Sequence, residues 1–449
     1  MAPGARSPER GILMYYRLFA SRSAVSQFSI VAAAFGILGS MPTAAMAQTE
    51  SSSKLEAEEA GRPALEPVGA RIGVFRAFVG GDLFAVYDDN VYARDSGGKV
   101  DDTYFRISPS LRLTADTSRY KWNVSAGLDR YEYSKQDSES RTDWNVRSDV
   151  IAELVRDTNV TLNGGYRRGT EERGAPDSPT TARSPVRYSS LTAGGGFSRE
   201  VGRLQLRTIV DYEKLDFKDG RQGNNTIINN DDRDRQTVEA GGEMSYEFSP
   251  GYRMFGRAVY ERVAYRIARD DAGFNRDNRG YRLTGGLKFE LTNVVDGNIF
   301  VGYMHRSYKD PRFRDYSGAA YGASIRWSPT RLTTISIDAN RSVQETTQLG
   351  FRGYISSNFG VRIEHDLTRY IQLNGGLRYD KNNYLVVAGF VPAPIDRDDD
   401  LLIANLGAKY TLNRQIAFGV AWDYTKRNSN QPASDYTRNK ISALARFTF

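Results

Sequence analysis

The chain has 449 residues, a formal net charge of +7, 26% charged residues, no cysteine and two histidines, His305 and His365. Without cysteine there is no disulfide scaffold and no thiol chemistry, and two histidines nearly exclude a zinc centre. Arg6, Arg10, Arg17 and Arg22 against Glu9 place +3 within residues 1–47, so 7 − 3 = +4 is spread over the remainder, too thinly for a nucleic-acid surface.

Arg17 and Arg22 precede an apolar run from Phe28 to Gly39, Pro42 breaks it, and Ala45-Met46-Ala47 gives a small-x-small cleavage pattern before Gln48. Residues 1–47 are therefore expected to be a cleaved signal peptide, translated from Met1 or from Met14, and with no cysteine at the cleavage point a lipoprotein is not expected. Residues 48–70 are polar and acidic (Glu50, Glu56, Glu58, Glu59, Glu66) with Pro63 and Pro67, and are expected to be a periplasmic linker without a core.

From Arg71 to Phe449 the pattern is strand after strand, with no sustained helical period. Tight turns fall at Asp116-Thr117, Asp157-Thr158, Val201-Gly202, Pro250-Gly251, Asn293–Gly297, Pro329-Thr330, Thr368-Arg369 and Asn413-Arg414. Long polar stretches such as 88–100, 172–183, 219–234, 270–278, 387–398 and 427–435 alternate with them. Short turns at one end and long loops at the other are the habit of outer-membrane barrels, and a soluble sandwich has no reason to segregate them. The expected fold is all-β: a transmembrane antiparallel up-and-down barrel of about 18 strands, or about 16 if the first segment is not a full strand.

Within strands the alternation is plain: Leu204, Leu206, Thr208, Val210 and Tyr212 share a face, and Gln205, Arg207, Asp211 and Glu213 the other. Aromatic residues fall toward both strand ends, as two membrane interfaces require. Tyr131, Tyr133, Tyr212, Tyr260, Tyr281, Trp422 and Tyr424 are read as the belt at the long-loop end. Tyr120, Trp122, Tyr252, Trp327, Tyr370, Tyr410 and Phe447 are read as the belt at the short-turn end.

Charged residues on the opposite face would be costly against lipid, so they are expected to line the lumen. The candidates are Arg106, Arg112, Arg147, Arg167, Arg207, Arg282, Arg326, Arg352, Arg362, Arg378, Glu243, Glu290, Asp380 and Asp423. Their basic excess predicts a weak preference for anionic solutes. No constriction loop is singled out, although 172–183 and 219–234 are long enough to fold inward. Asp88-Asp89-Asn90, Asp231-Asp232 and the run Asp396, Asp398, Asp399, Asp400 could hold a divalent ion but read as solvated loop charge, and no EF-hand spacing is present. His305 and His365 avoid the long-loop rim, so no enzyme and no cofactor are expected. No plug-sized domain precedes the strands, which disfavours an energised transporter.

The last strand carries Ile441, Ala443, Ala445, Phe447 and the terminal Phe449 on one face. The spacing resembles the C-terminal assembly signal of outer-membrane barrels, and the strand ending at Tyr87-Asp88-Asp89-Asn90 is its expected partner. Phe84-Ala85-Val86-Tyr87-Asp88-Asp89-Asn90-Val91-Tyr92-Ala93, followed by Asp102 and Ile107-Ser108-Pro109-Ser110-Leu111, resembles the start of the putative β-barrel porin 2 family. The resemblance is specific over these segments and architectural beyond them. It implies the outer membrane of a Gram-negative bacterium, with lipid, lipopolysaccharide and the barrel assembly machinery as partners and no nucleic acid. A porin-like channel for small hydrophilic or saccharide solutes is the expected function. Because some members resemble barrels encoded beside exopolysaccharide export machinery, a secretion component partnered by polysaccharide export proteins is the alternative.

Overall fold

The computed structural model describes residues 67–291, 294–390 and 396–449. The expected signal peptide, and the linker up to residue 66, lie outside the described residues. The strands are β1 (Ala70–Ile72), β2 (Phe75–Asp88), β3 (Asp102–Asp116), β4 (Tyr120–Tyr133), β5 (Arg141–Val155), β6 (Thr158–Thr170), β7 (Arg187–Val201), β8 (Leu204–Phe217), β9 (Gly220–Arg221) and β10 (Ile227–Ile228). They continue as β11 (Arg235–Ser249), β12 (Tyr252–Tyr265), β13 (Asn278–Leu291), β14 (Val295–Tyr308), β15 (Tyr316–Thr330), β16 (Thr333–Gln344), β17 (Phe351–Asp366), β18 (Ile371–Val386), β19 (Asp398–Thr411), β20 (Ile416–Ser429) and β21 (Tyr436–Thr448).

Eighteen of these, all but β1, β9 and β10, pair antiparallel with their chain neighbours, and β2 pairs with β21 to close the ring. Closure leaves no sheet edge, which a lipid environment demands of a spanning sheet. β1 turns back on β2, pairing Ala70 with Ala77, and continues the edge below the point where β21 ends.

Period-2 alternation sets which face is which. Val79, Leu83 and Tyr87 on β2, Phe105, Ile107 and Leu111 on β3, and Leu283 and Leu287 on β13 project outward and are exposed. On β21, Ile441, Ala443, Ala445 and Phe447 share that outward face, whereas Leu444 packs inward against the cluster of Phe84, Val86, Val91, Tyr104 and Tyr133. One part of the expected aromatic belt is corrected. Tyr131 and Tyr133 face the lumen, because register pairs them with inward Arg106 and Tyr104. Tyr133 is buried and stacks on Tyr104 at 4.6 Å. Tyr120 through Glu132 fill the even, outward positions of β4, so the aromatics of its last turn belong to the odd face.

The short turns carry positive φ at Asp157, Gly202 and Gly251, conformations that favour Asp, Asn and Gly. The terminal residue is part of the seam: Val79 N donates to Phe449 O (3.2 Å) and Phe449 N donates to Val79 O (2.8 Å). Deleting Phe449 removes both bonds and the exposed terminal ring. The expected result is a smaller inserted fraction, read by surface accessibility. Normal surface assembly of the truncated chain would contradict it.

Candidate pore and outer mouth

Register places Arg106 and Arg112 (β3), Arg147 (β5), Arg167 (β6), Arg207 (β8), Glu243 (β11), Arg282 and Glu290 (β13), and Arg326 (β15) on the inward face. Arg362 (β17), Arg378 and Asp380 (β18) and Asp423 (β20) are inward as well. Arg352 departs from this pattern. It sits in a bulge, between Phe351 and Tyr354 where β17 slips against β18, and its guanidinium donates to the Val386 carbonyl. An unpaired residue at a bulge is not fixed by alternation, so its strand position could not place it.

Most inward charges are braced against one another. Glu243 accepts from Lys288 at 2.7 Å and from Arg257 Nε at 2.8 Å. Arg147 forks onto Asp149, Arg253 bridges Glu200 (2.8 Å) and Glu247 (2.9 Å), and Arg378 meets Asp380 at 2.7 Å. Completing the inward face by register adds Asp82, Asp102, Asp129, Asp338 and Asp366 beside further arginines and lysines. The two signs come out nearly even, so the basic excess of the shorter candidate set does not describe the whole lining. Amides are interleaved with the charges: Asn123, Asn145, Asn163, Asn298, Asn340, Asn358, Asn374 and Asn405 all face inward.

The outer mouth is crossed by two loops from nearly opposite walls. The 171–186 loop joins β6 to β7 and the 345–350 loop joins β16 to β17, eight strands round a ring of eighteen. They meet where Thr346 donates to Asp177 (2.5 Å) and the Gln348 amide donates to the Pro176 carbonyl. The β16–β17 tip reaches inward because β16 parts from β15 above Asn340, so that Val343 and Ile355 pack on Met304 and Ala320. Glu345 anchors it, accepting from Arg306 (2.5 Å), Tyr265 Oη (2.9 Å) and Asn278 Nδ2 (3.0 Å). Arg276 adds bonds to the carbonyls of Thr346 (2.6 Å) and Phe351 (3.0 Å).

The 171–186 loop is tied at its other end. Arg173 pairs with buried Glu139 (2.6 Å), Arg233 with Glu171 (2.5 Å), and Arg427 donates to the Gly174 carbonyl (2.8 Å). Gly174 has φ +85°, and a Cβ there would stand 2.9 Å from Ala93 Cβ and from Tyr436 Oη, so only glycine passes. Burial opposes ionisation of Glu172, but Lys440, Arg438 and Arg141 outweigh it and hold its carboxyl below the usual range. In the 218–234 loop the balance reverses: burial, with Asp271 nearby, pushes Asp232 up to about 6.

Asp88-Asp89-Asn90 fastens the first strand to the last. Fully buried Asp88 accepts from Arg438 Nε at 2.9 Å through both oxygens. Asp89 accepts from Asn439 N (2.6 Å) and Nδ2 (2.8 Å), and Asn90 Nδ2 donates to Thr437 O (2.9 Å). The other acidic runs are also engaged: Asp231 with Arg266, Asp399 with Arg397, and Asp400 with Tyr379. Among the described residues there is no group of three or more side chains placed to hold a metal ion. His305 bonds Ser317 Oγ (2.8 Å) and His365 bonds Thr333 Oγ1 (3.0 Å), both from outward positions.

Sequence reasoning missed the 345–350 loop, since at six residues it is too short to look like a constriction. The available signal was Gly350-Phe351-Arg352-Gly353, two glycines bracketing a bulge inside a strand pattern.

A model of the Putative beta-barrel porin 2 family matches residues 62–449. Among solved structures, OccK3 (OpdO) of Pseudomonas aeruginosa is 13% identical, with 83% of this chain and 95% of that chain covered at a TM-score of 0.40. OccAB3 of Acinetobacter baumannii is 11% identical, with 84% and 100% covered at 0.44. The siderophore receptor PirA from Acinetobacter baumannii is 8% identical, with 83% and 80% covered at 0.44. No curated protein matches. At these identities nothing about solutes transfers from the solved structures.

Proposed function

The chain belongs to the Putative beta-barrel porin 2 family, an outer-membrane barrel of porin-like fold, and from that premise we propose that it is a narrow, solute-selective channel for small hydrophilic solutes, saccharides among them. The observation that carries this reading is the crossing of the 171–186 and 345–350 loops above a lumen of paired charges and amides. Selectivity in a pore follows from its width and from the hydrogen-bonding groups that line it. Paired arginines and carboxylates present donors and acceptors with little net field, and the inward asparagines add neutral ones. Polyhydroxylated solutes suit such a wall better than simple ions do. A mouth drawn together from opposite walls also gives no support to a wide conduit for polymer secretion.

The test is single-channel recording on the folded protein, with ion selectivity and a size series of neutral oligosaccharides as blockers. Small unit conductance, weak charge selectivity and concentration-dependent block by short oligosaccharides are expected. Absence of any conductance, or block by none of the sugars, would overturn the reading.

A further inference from the structure

The outward face carries a feature that the pore does not use. Four strands of one sector repeat an aromatic–basic step on the lipid-facing side, near the long-loop end: Tyr166-x-Arg168 on β6, Tyr212-x-Lys214 on β8, Tyr260-x-Arg262 on β12 and, running the other way, Arg279-x-Tyr281 on β13. In each case the basic residue is two positions beyond the tyrosine toward the outside, and all four basic side chains are exposed.

The four also lie at similar heights, all near the long-loop end. Hydrogen-bonded rows climb relative to the membrane plane because barrel strands tilt. Here the row through Val201, at the end of β7, passes Leu204 and reaches Tyr246, three residues above the end of β11 at Ser249, so the row climbs about three residues over two strands. The row through Arg168 passes Ser189 to Asp216, and a two-residue step down β8 lands on Lys214. The row through Lys214 passes Gln236 to Ala264, and two residues down β12 is Arg262. Arg279 lies directly opposite Arg262.

Like charges directly opposite each other on one sheet face are destabilising, and a basic side chain just above an aromatic belt stands at headgroup level. Two other outward basic residues near the loop end are neutralised by the chain itself. Tyr379-x-Lys381 has the same step, but Lys381 is opposite Asp400 in register and Tyr379 donates to Asp400 at 2.6 Å. Arg130, also outward, pairs with Glu132. Arg168, Lys214, Arg262 and Arg279 have no ion-pair partner among the described residues.

We propose that this sector, built on Arg168, Lys214, Arg262 and Arg279, is a docking surface for the phosphorylated glycolipid headgroups of the outer leaflet. The tyrosines would pack on the acyl and sugar boundary while the basic groups hold the phosphates by charge-assisted hydrogen bonds. The assignment rests on the outer-membrane location and not on any solute passing through the lumen.

Native mass spectrometry of the folded, full barrel titrated with diphosphorylated lipid A tests it. Arg168→Gln/Lys214→Gln/Arg262→Gln/Arg279→Gln is expected to bind about tenfold more weakly or worse, given the contribution of each basic residue near an anionic surface. Lys381→Gln is expected to bind as the unaltered chain does. Lipid A stripped of phosphate should lose affinity for the unaltered chain and show little further loss with the fourfold variant. If the fourfold variant does not fold, Arg262→Gln/Arg279→Gln serves, with a several-fold loss expected. Equal affinity of the substituted barrel, equal loss with Lys381→Gln, or equal binding of dephosphorylated lipid would each overturn the proposal.

Discussion

Replacing Glu345–Leu349 with a short glycine-serine turn should raise the unit conductance severalfold and reduce block by short oligosaccharides. The loop reaches across from its own wall, and its removal takes away Thr346 and Gln348, which meet Asp177 and Pro176 from the opposite side. The strengths of the ties decide how the mouth behaves. Across the gap, the Gln348 bond to the Pro176 carbonyl is worth about 1 kcal/mol net and the Thr346 bond to the Asp177 carboxylate about 1.5–3 kcal/mol. The Glu345 anchor is a buried charge held by Arg306, Tyr265 and Asn278, and breaking such a site by removing one partner costs about 3–5 kcal/mol. The 345–350 loop is therefore fixed to the wall, and the weak contact is the crossing itself. Glu345→Gln should loosen the anchor and give larger, noisier openings, whereas Thr346→Val should leave the mean conductance nearly unchanged. Retention of the folded, heat-modifiable form checks that the barrel is intact. A loop replacement that conducts like the unaltered protein would show that the mouth does not limit flow.

How far the sequence could be read depended on what kind of contact held each part. Strand order, turn placement and the inward set follow from a period of 2, because one face meets hydrocarbon and a charge there is penalised. Arg207, Arg282 and Arg378 could thus be placed on the inner wall by position alone. Tyr131 and Tyr133 could not, since tyrosine is at home both in an interfacial belt and in a buried cluster. Only the register of β3 against β4 puts them on Tyr104 and Arg106. Arg352 escaped because a bulge suspends alternation. The mouth was hidden for a different reason. Its partners, Thr346 with Asp177 and Arg427 with Gly174, are 169 and 253 residues apart, joined by loops that carry no periodic signal. Asp88-Asp89-Asn90 was visible as a motif and resembled a known stretch, yet its purpose rests on Arg438, Asn439 and Thr437 at the far end of the chain.

That distance makes the seam the most demanding joint in the barrel. Strands β2 and β21 pair over nine residue pairs, from Gly80–Thr448 to Asp88–Lys440, against thirteen for β2 with β3. The ends being joined lie 350 residues apart in sequence, where the closure entropy of the intervening chain is at its largest. Side chains reinforce both ends of the short ladder: Asp82 holds Arg446 at 2.8 Å toward the turn end, and Asp88 holds Arg438 at the loop end. Asp88 has no exposed surface, accepts from Arg438 and from Asn90 N (3.0 Å), and among the described residues shares Arg438 with no other carboxylate at hydrogen-bond distance. Asp88→Asn keeps the shape but leaves a buried guanidinium without its hydrogen-bonded counter-charge, which is expected to cost about 3–5 kcal/mol. The consequence should be a lower refolding yield in detergent and a heat-modified band that converts at lower temperature, with sharply reduced surface assembly in cells. Asp89→Asn is the control. Asp89 is partly exposed, and asparagine can still accept from Asn439 N, so the change should be within about 1 kcal/mol. Equal assembly of the Asp88→Asn and Asp89→Asn barrels would mean that backbone pairing alone closes the ring.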